Sequence, residues 1–430
     1  MTSQLQQWFK TGIKFHKEYL SILVLCYFAF RIVSITGGDS FTNAILIMEL
    51  EYVVIVLYLL ILREFPPFLR IIKENRMVSF LLFLWLLSVT YSFLSWPLAP
   101  LQKSAEYYVQ QRYFQTITHV IFFIFIWDLF NRYRPPLKWL VYTIAASSLF
   151  VVGYFLKDWM SGAYPVGDIW PSHPPLNSNK NHTGYQLEAA IAFFLSMVIF
   201  NVAINLKSTI KILVWVILWA FLFWLGGRGA ALSLIGAMFF VWAALYFKKL
   251  NSKQFAFLMI FVLAIAIVIS EWLSVFPWSG ILYRMSLVVQ ADSIREASYD
   301  RIDIWEATWE SVKNNIFFGL GPQGYRLMTY HDQGVQPHNV FMQFLVEWGV
   351  VGTGLFLYLL TRTFIKGFKL HVLNGRETYN IFVISAGAVI LSLSAHALID
   401  GTYYHPQPSV YLAIAFAIWI VPWHQERENE

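Results

Sequence analysis

The stretch QFAFLMIFVLAIAIVIS, residues 254–270, decides the fold. It contains no Asp, Glu, Lys or Arg. As an α-helix rising 1.5 Å per residue it extends about 25 Å, close to the hydrocarbon thickness of a bilayer, about 30 Å. A helix closes its backbone hydrogen bonds internally, so such a segment can cross lipid without stranding a polar group. Working outward, similar apolar stretches lie at 18–35, 41–62, 77–96, 115–131, 138–156, 185–206, 210–225, 229–247, 339–360, 380–398 and 409–422. The expected fold class is therefore all-α and polytopic, with about twelve transmembrane helices.

The composition of the 430 residues agrees: 13% are charged, 58% hydrophobic and 18% aromatic. A water-soluble chain carries about 25% charge. This balance excludes a disordered chain, a coiled coil and a secreted disulfide scaffold. Cys26, the one cysteine, lies inside an apolar run, which leaves no intramolecular disulfide and no thiolate metal cluster. The net charge of +6 is scattered over short hydrophilic segments, so it reports topology and not a nucleic-acid face. With the N-terminus inside, the cytoplasmic segments hold 20 Lys and Arg and the outer segments hold 10, so both termini are expected in the cytoplasm. The first seventeen residues are basic and polar and lack a small-residue cleavage site, so the first span reads as an uncleaved anchor.

Three regions follow: residues 1–270 with nine helices, one long outer loop at 271–338, and residues 339–430 with three more helices and a cytoplasmic tail. Lesser outer loops fall at 97–114, 157–184 and 399–408. The inner loops are too short for a nucleotide-binding domain, and no Gly-x-x-x-x-Gly-Lys or His-Glu-x-x-His sequence occurs. ATP-driven transport by this chain alone is excluded.

In the long loop, Ile302, Trp305, Trp309, Val312 and Ile316 keep a helical spacing, with Asp300 as a cap and Gly319, Gly321 and Pro322 as stops. This amphipathic helix is expected to lie along the membrane interface with that stripe toward lipid or protein. Arg301 opens it, either as a snorkelling side chain or as an anion ligand. Arg228 sits in Gly226-Gly227-Arg228-Gly229 at a span junction, where an arginine contacts headgroups in an ordinary turn or meets an anion that the glycines let come close. Two such guanidiniums from separate segments suit a phosphate group. His338 and Asn339 precede an apolar run containing Gly349, Gly352 and Gly354. They serve either as a helix start, with Asn339 as its cap, or, for His338, as a general base.

His173, His182, His331 and His405 lack a metal-ligand spacing, and no metal site is expected. Asp168, Asp303, Glu306 and Asp400 read as solvated or capping carboxylates. Within the spans, Arg31 is expected to pair with Glu49 or Glu51. Trp159, Tyr164 and Trp170 are candidates for contact with a sugar acceptor.

Taken in order, Arg228-Gly229-Ala230, Arg301 with Trp305, Gly319-Leu320-Gly321-Pro322, and His338-Asn339 with Glu347, Gly349 and Gly352 resemble the O-antigen ligase and O-antigen polymerase superfamily of the bacterial envelope. The likeness covers about Trp215 to Tyr358. It implies a multi-pass protein of the bacterial inner membrane, with a fold similar to C-type glycosyltransferases. Such a protein would move a glycan from undecaprenyl diphosphate to an acceptor on the periplasmic side without a cofactor. By the same resemblance Arg228 and Arg301 hold the diphosphate and His338 activates the acceptor hydroxyl, while Arg284, Arg295 and Arg326 remain secondary candidates beside Asn339. A ligase would use lipid A-core as acceptor, a polymerase a second lipid-linked glycan. A lipid-glycan transporter without chemistry is the more distant reading. The partners are membrane lipids and these glycolipids, with no nucleic acid.

Overall fold

The computed structural model describes residues 19, 22–31, 40–62, 76–95, 103–161, 180–199, 205–274, 280–298, 301–326, 336–373 and 381–423. Among them there is no strand. The helices are α1 (Ile22–Arg31), α2 (Ser40–Leu62), α3 (Arg76–Leu94), α4 (Lys103–Tyr133), α5 (Leu137–Met160), α6 (Lys180–Val198) and α7 (Leu206–Trp224). There follow α8 (Arg228–Phe247), α9 (Ser252–Leu273), α10 (Ile281–Val289), α11 (Ile294–Ala297), α12 (Arg301–Asn314), α13 (Val340–Phe368), α14 (Ile381–His396) and α15 (Pro406–Ile420). A helix meets each of the twelve apolar stretches. Among the described residues, seven are long and apolar enough to cross a membrane by length and composition.

The outward faces fit lipid and not water. On α9, Phe257, Ile260 and Val268 are exposed, and Leu60, Phe80 and Phe83 continue the apolar perimeter on α2 and α3. A soluble protein does not leave so continuous an apolar belt uncovered. Inside the bundle, α14 packs against α6, α8 and α15. Its small residues Ser385, Ala386, Gly387, Ala388 and Ser392 permit that close approach. A Cβ on Gly387 would stand 2.7 Å from the Trp419 ring of α15.

With 16 and 15 residues, α14 and α15 extend only about 24 Å and 22 Å. The turn between them, 397–405, is largely buried, so protein covers its irregular backbone.

The long helix α13 is two helices joined at a crossing. Gly349 has φ +61 and ψ −171 inside it. The interrupted backbone groups find partners in the segment after α12. Leu320 N–H donates to Val346 O at 2.7 Å and Gly321 N–H to Glu347 O at 2.9 Å. In return, Val350 and Val351 N–H donate to Ile316 O and Phe317 O. Both faces of the break are thus satisfied. Only glycine fits: a Cβ on Gly319 would meet Glu347 carbonyl carbon at 2.6 Å, and one on Gly349 would overlap the Phe317 backbone.

Several sequence expectations change. The region 271–338 holds three helices, α10, α11 and α12, and the outer part of 97–114 is already helical from Lys103. On α12 the buried residues are Ile304, Thr308 and Val312, while Trp309 and Ile316 are exposed. The stripe is turned because α12 packs on Leu345 and Val346 of α13 and on Tyr325, the protein side of the expected alternatives. Gly319 serves the α13 crossing more than it stops α12, which ends at Asn314. Glu51 is buried and faces His119 Nδ1 at 2.7 Å, so its ion-pair partner is this histidine and not Arg31. Asp168, His173, His331, Tyr164, Trp170 and the Asp300 cap lie outside the described residues.

Candidate functional site

The buried turn after α14 is where His338, Asn339, Arg301 and the helix start that carries Arg228 come together. Asn339 caps α13: its side-chain oxygen accepts from Met342 N–H at 3.0 Å, and its Nδ2 donates to Leu398 O at 2.8 Å. Val340 N–H donates to Ala397 O at 2.8 Å. These bonds fasten the start of α13 to the turn. They hold His338 in the left-handed region, φ +50, where a non-glycine residue is uncommon.

From that position His338 Nδ1 lies 2.8 Å from Asp400 Oδ1. Asp400 is 6% exposed and the His338 side chain 30%. The same Asp400 oxygen accepts from Gly401 N–H at 2.8 Å. Burial would raise this carboxyl, but the His338 hydrogen bond and the nearby positive charges of His396 and Arg301 hold it well below the usual carboxylate range. An ionised carboxylate only accepts, so the His338 proton sits on Nδ1 and the Nε2 lone pair is left for another molecule. That is the orientation a general base requires.

Arg301, the first residue of α12, donates from Nη1 to Ile399 O, on the same turn. Trp305, one turn on, donates from Nε1 to Pro337 O at 2.9 Å. Thus α12 is tied to both sides of His338. Arg228 opens α8 after a turn in which Gly226 has φ +66. The next residue, Gly229, lies so close to the turn that a Cβ would stand 2.9 Å from the His396 ring and 3.0 Å from Ile399 Cδ1. Both guanidinium-bearing helix starts therefore converge on residues 396–400. A helix N-terminus adds a partial positive charge to each arginine.

The secondary candidates divide. Arg284 on α10 is half-buried, and its carbonyl oxygen takes Arg228 Nη1 at 3.4 Å. Arg295 is bound to Asp303 and to Glu306, both of whose carboxylate oxygens lie 3.0 Å from its Nη2, in an exposed cluster. Arg326 stacks on the Tyr108 ring, 3.8 Å from its centroid.

Asp400 corrects the sequence reading, since it is neither solvated nor a cap. It stands 62 positions from His338, and its residue type alone carries no signal of that contact. His396 and Glu188, which also belong to this corner, carry no local motif either. A third histidine of the turn, His405, is pushed well below its ordinary value by burial and by the neighbouring His182, so it is held neutral. Among the described residues, no group of three or more His, Cys, Asp or Glu is arranged to hold a metal ion.

Residues 213–357 match the family model described as O-antigen ligase. The match includes Arg228, Arg301, His338 and Asn339, and it leaves Glu188, His396 and Asp400 outside. No curated protein matches the chain.

Proposed function

We propose that this chain, whose residues 213–357 match the O-antigen ligase family model, is an O-antigen ligase of the bacterial inner membrane. It would transfer a polysaccharide from undecaprenyl diphosphate to a hydroxyl of lipid A-core. Members of this family are membrane glycosyltransferase-like enzymes acting on lipid-linked glycans. The observation that carries the finer reading is the pair His338 and Asp400, 2.8 Å apart, with the histidine open and the carboxylate covered.

In this reading the acceptor oxygen attacks the anomeric carbon of the glycan while its proton passes to His338 Nε2. The bond from that carbon to the diphosphate oxygen breaks, and the electron pair leaves with undecaprenyl diphosphate. Arg228 and Arg301 offset the charge that develops there, a contribution of about 3 to 4 kcal/mol for each such group. A positioned base adds about 10²- to 10⁴-fold. The displacement is single and inverts the anomeric centre, and the arginines do the work a metal does elsewhere. Outside the cytoplasm a donor must arrive already activated, and a lipid diphosphate meets that need while staying in the membrane. The excess of Lys and Arg on the opposite side supports a periplasmic placement of this corner, with both termini in the cytoplasm.

Purified protein in proteoliposomes, supplied with a labelled undecaprenyl-diphosphate glycan with and without lipid A-core, tests the reading. Label moving to lipid A-core supports a ligase. Label lengthening on its own carrier in both conditions makes the protein a polymerase, with the same donor site.

A further inference from the structure

Behind Asp400 the cluster continues inward. The second carboxylate oxygen of Asp400 lies 3.8 Å from His396 Nε2, and His396 Nδ1 lies 2.8 Å from Glu188 Oε2. The other oxygen of Glu188 accepts from Ser392 Oγ. Glu188, His396 and Asp400 come from α6, α14 and the turn after it, and all three are buried. Gly229 lets α8 close over the His396 ring, so no water-sized gap separates the ring from that helix.

An imidazole between two carboxylates is suited to one protonation state. A neutral ring would turn a lone pair toward one carboxylate, whereas an imidazolium donates to Glu188 and faces Asp400 as an ion pair across 3.8 Å. With an imidazolium at His396, the two cationic groups His396 and Arg301 would balance the two carboxylates Glu188 and Asp400. Balance matters here because an uncompensated buried charge is costly. We infer that His396, clamped by Glu188, is a positioning residue for the transfer reaction, fixing the orientation and charge of Asp400 and through it the Nδ1–H tautomer of His338. The inference rests on His338 as the base. His396 itself is enclosed and touches no substrate. The other titratable groups around this line are Arg301 from α12, Tyr185 and His182 from α6, and His405 from the turn, with Arg112 of α4 beyond His405.

The test reads His338 without requiring turnover. Diethyl pyrocarbonate modifies neutral imidazole, so its rate at His338 across pH, followed by mass spectrometry on the full chain in nanodiscs, gives the pH of half-reactivity. In His396→Gln the positive charge behind Asp400 is gone, and the carboxylate acts on His338 less opposed. The half-point is expected to rise by about one pH unit. Glu188→Gln should move it in the same direction, and the double variant no further than either single one. If His396→Gln fails to insert, Glu188→Gln decides alone. An unmoved half-point, or a uniform slowing at every pH, would overturn the proposal. In transfer assays the acid limb of the pH–rate profile should move with the half-point. A wild type that transfers no glycan would refute the glycosyltransferase reading while leaving the His338 titration to be judged by itself.

Discussion

Two buried carboxylates, Asp400 and Glu347, sit in the same part of the molecule and have opposite uses. Glu347 faces Arg112 Nε at 3.4 Å, accepts from Gln323 N–H at 3.1 Å and from the Gln343 amide, and is wholly enclosed. Its partner Arg112 is enclosed too, donating to the Tyr404 and Tyr403 carbonyls with its guanidinium 5.0 Å from the Tyr404 ring. Asp400 is equally covered, but one of its partners, His338, is open. A carboxylate whose whole shell is closed fastens α4, α13 and the 397–405 turn together. One that backs an accessible imidazole equips it for chemistry. Exposure of the partner, and not the acid, separates the joint from the site.

The widest gap should appear on removing the two arginines proposed to meet the leaving group. The double variant Arg228→Ala, Arg301→Ala is expected to insert and fold, yet to lower transfer by about 10⁴-fold or more, since each such group contributes about 10²- to 10³-fold. Rates of labelled-glycan transfer measure this, and activity near wild type would remove the diphosphate site. Next, Asp400→Asn is expected to cost about 10²- to 10⁴-fold. The amide can donate to Nδ1 and so move the histidine proton to Nε2, where a base needs its lone pair. Folding should be retained, and an active Asp400→Asn variant would dissolve the contrast with Glu347.

The same carboxylate predicts a pH pattern in stability. Its pKa is depressed in the folded state, so its stabilising contribution is complete above the unfolded value, about 3.9, and is lost as pH falls through the lower folded value. The difference in melting temperature between wild type and Asp400→Asn should not shrink as pH falls from 8 to 5, and it grows where the paired histidines take up protons. A difference that shrinks within that window would place the folded pKa higher than the geometry requires.

On the joint side, Gly349→Ala is expected to destabilise by about 3 kcal/mol or more, because its Cβ meets the Phe317 backbone and φ is positive. Thermal melting of detergent-purified protein reads this, and an unchanged melting temperature would mean that the crossing is dispensable. The smallest effect belongs to Arg295→Ala. Its carboxylate partners lie on an exposed surface, so transfer should stay within about twofold of wild type.

What the sequence made legible follows from the range of the interactions. Apolar runs are local, and each of the twelve stretches meets a helix. The helix starts carrying Arg228 and Arg301, and the Asn339 cap ahead of α13, are local as well. The turned stripe of α12 was not legible, because Ile304 and Val312 are buried with Leu345, Val346 and Tyr325, which no spacing within α12 reveals. Asp400, His396 and Glu188 were hidden for the same reason. The contacts of Asp400 with His338 and of His396 with Glu188 bridge separate elements, 62 and 208 positions apart. The break in α13 shows as a glycine in sequence, yet its closure by residues 316–321 is a tertiary fact.

The most direct test of the central claim, that His338 backed by Asp400 is the base, compares transfer by wild type, His338→Ala and His338→Gln in the same proteoliposomes with labelled undecaprenyl-diphosphate glycan and lipid A-core. Transfer by the wild type alone is expected, because glutamine can occupy the space and hydrogen-bond but cannot take a proton. Transfer by His338→Gln at a rate near wild type would contradict it and leave His338 a residue that only positions the acceptor.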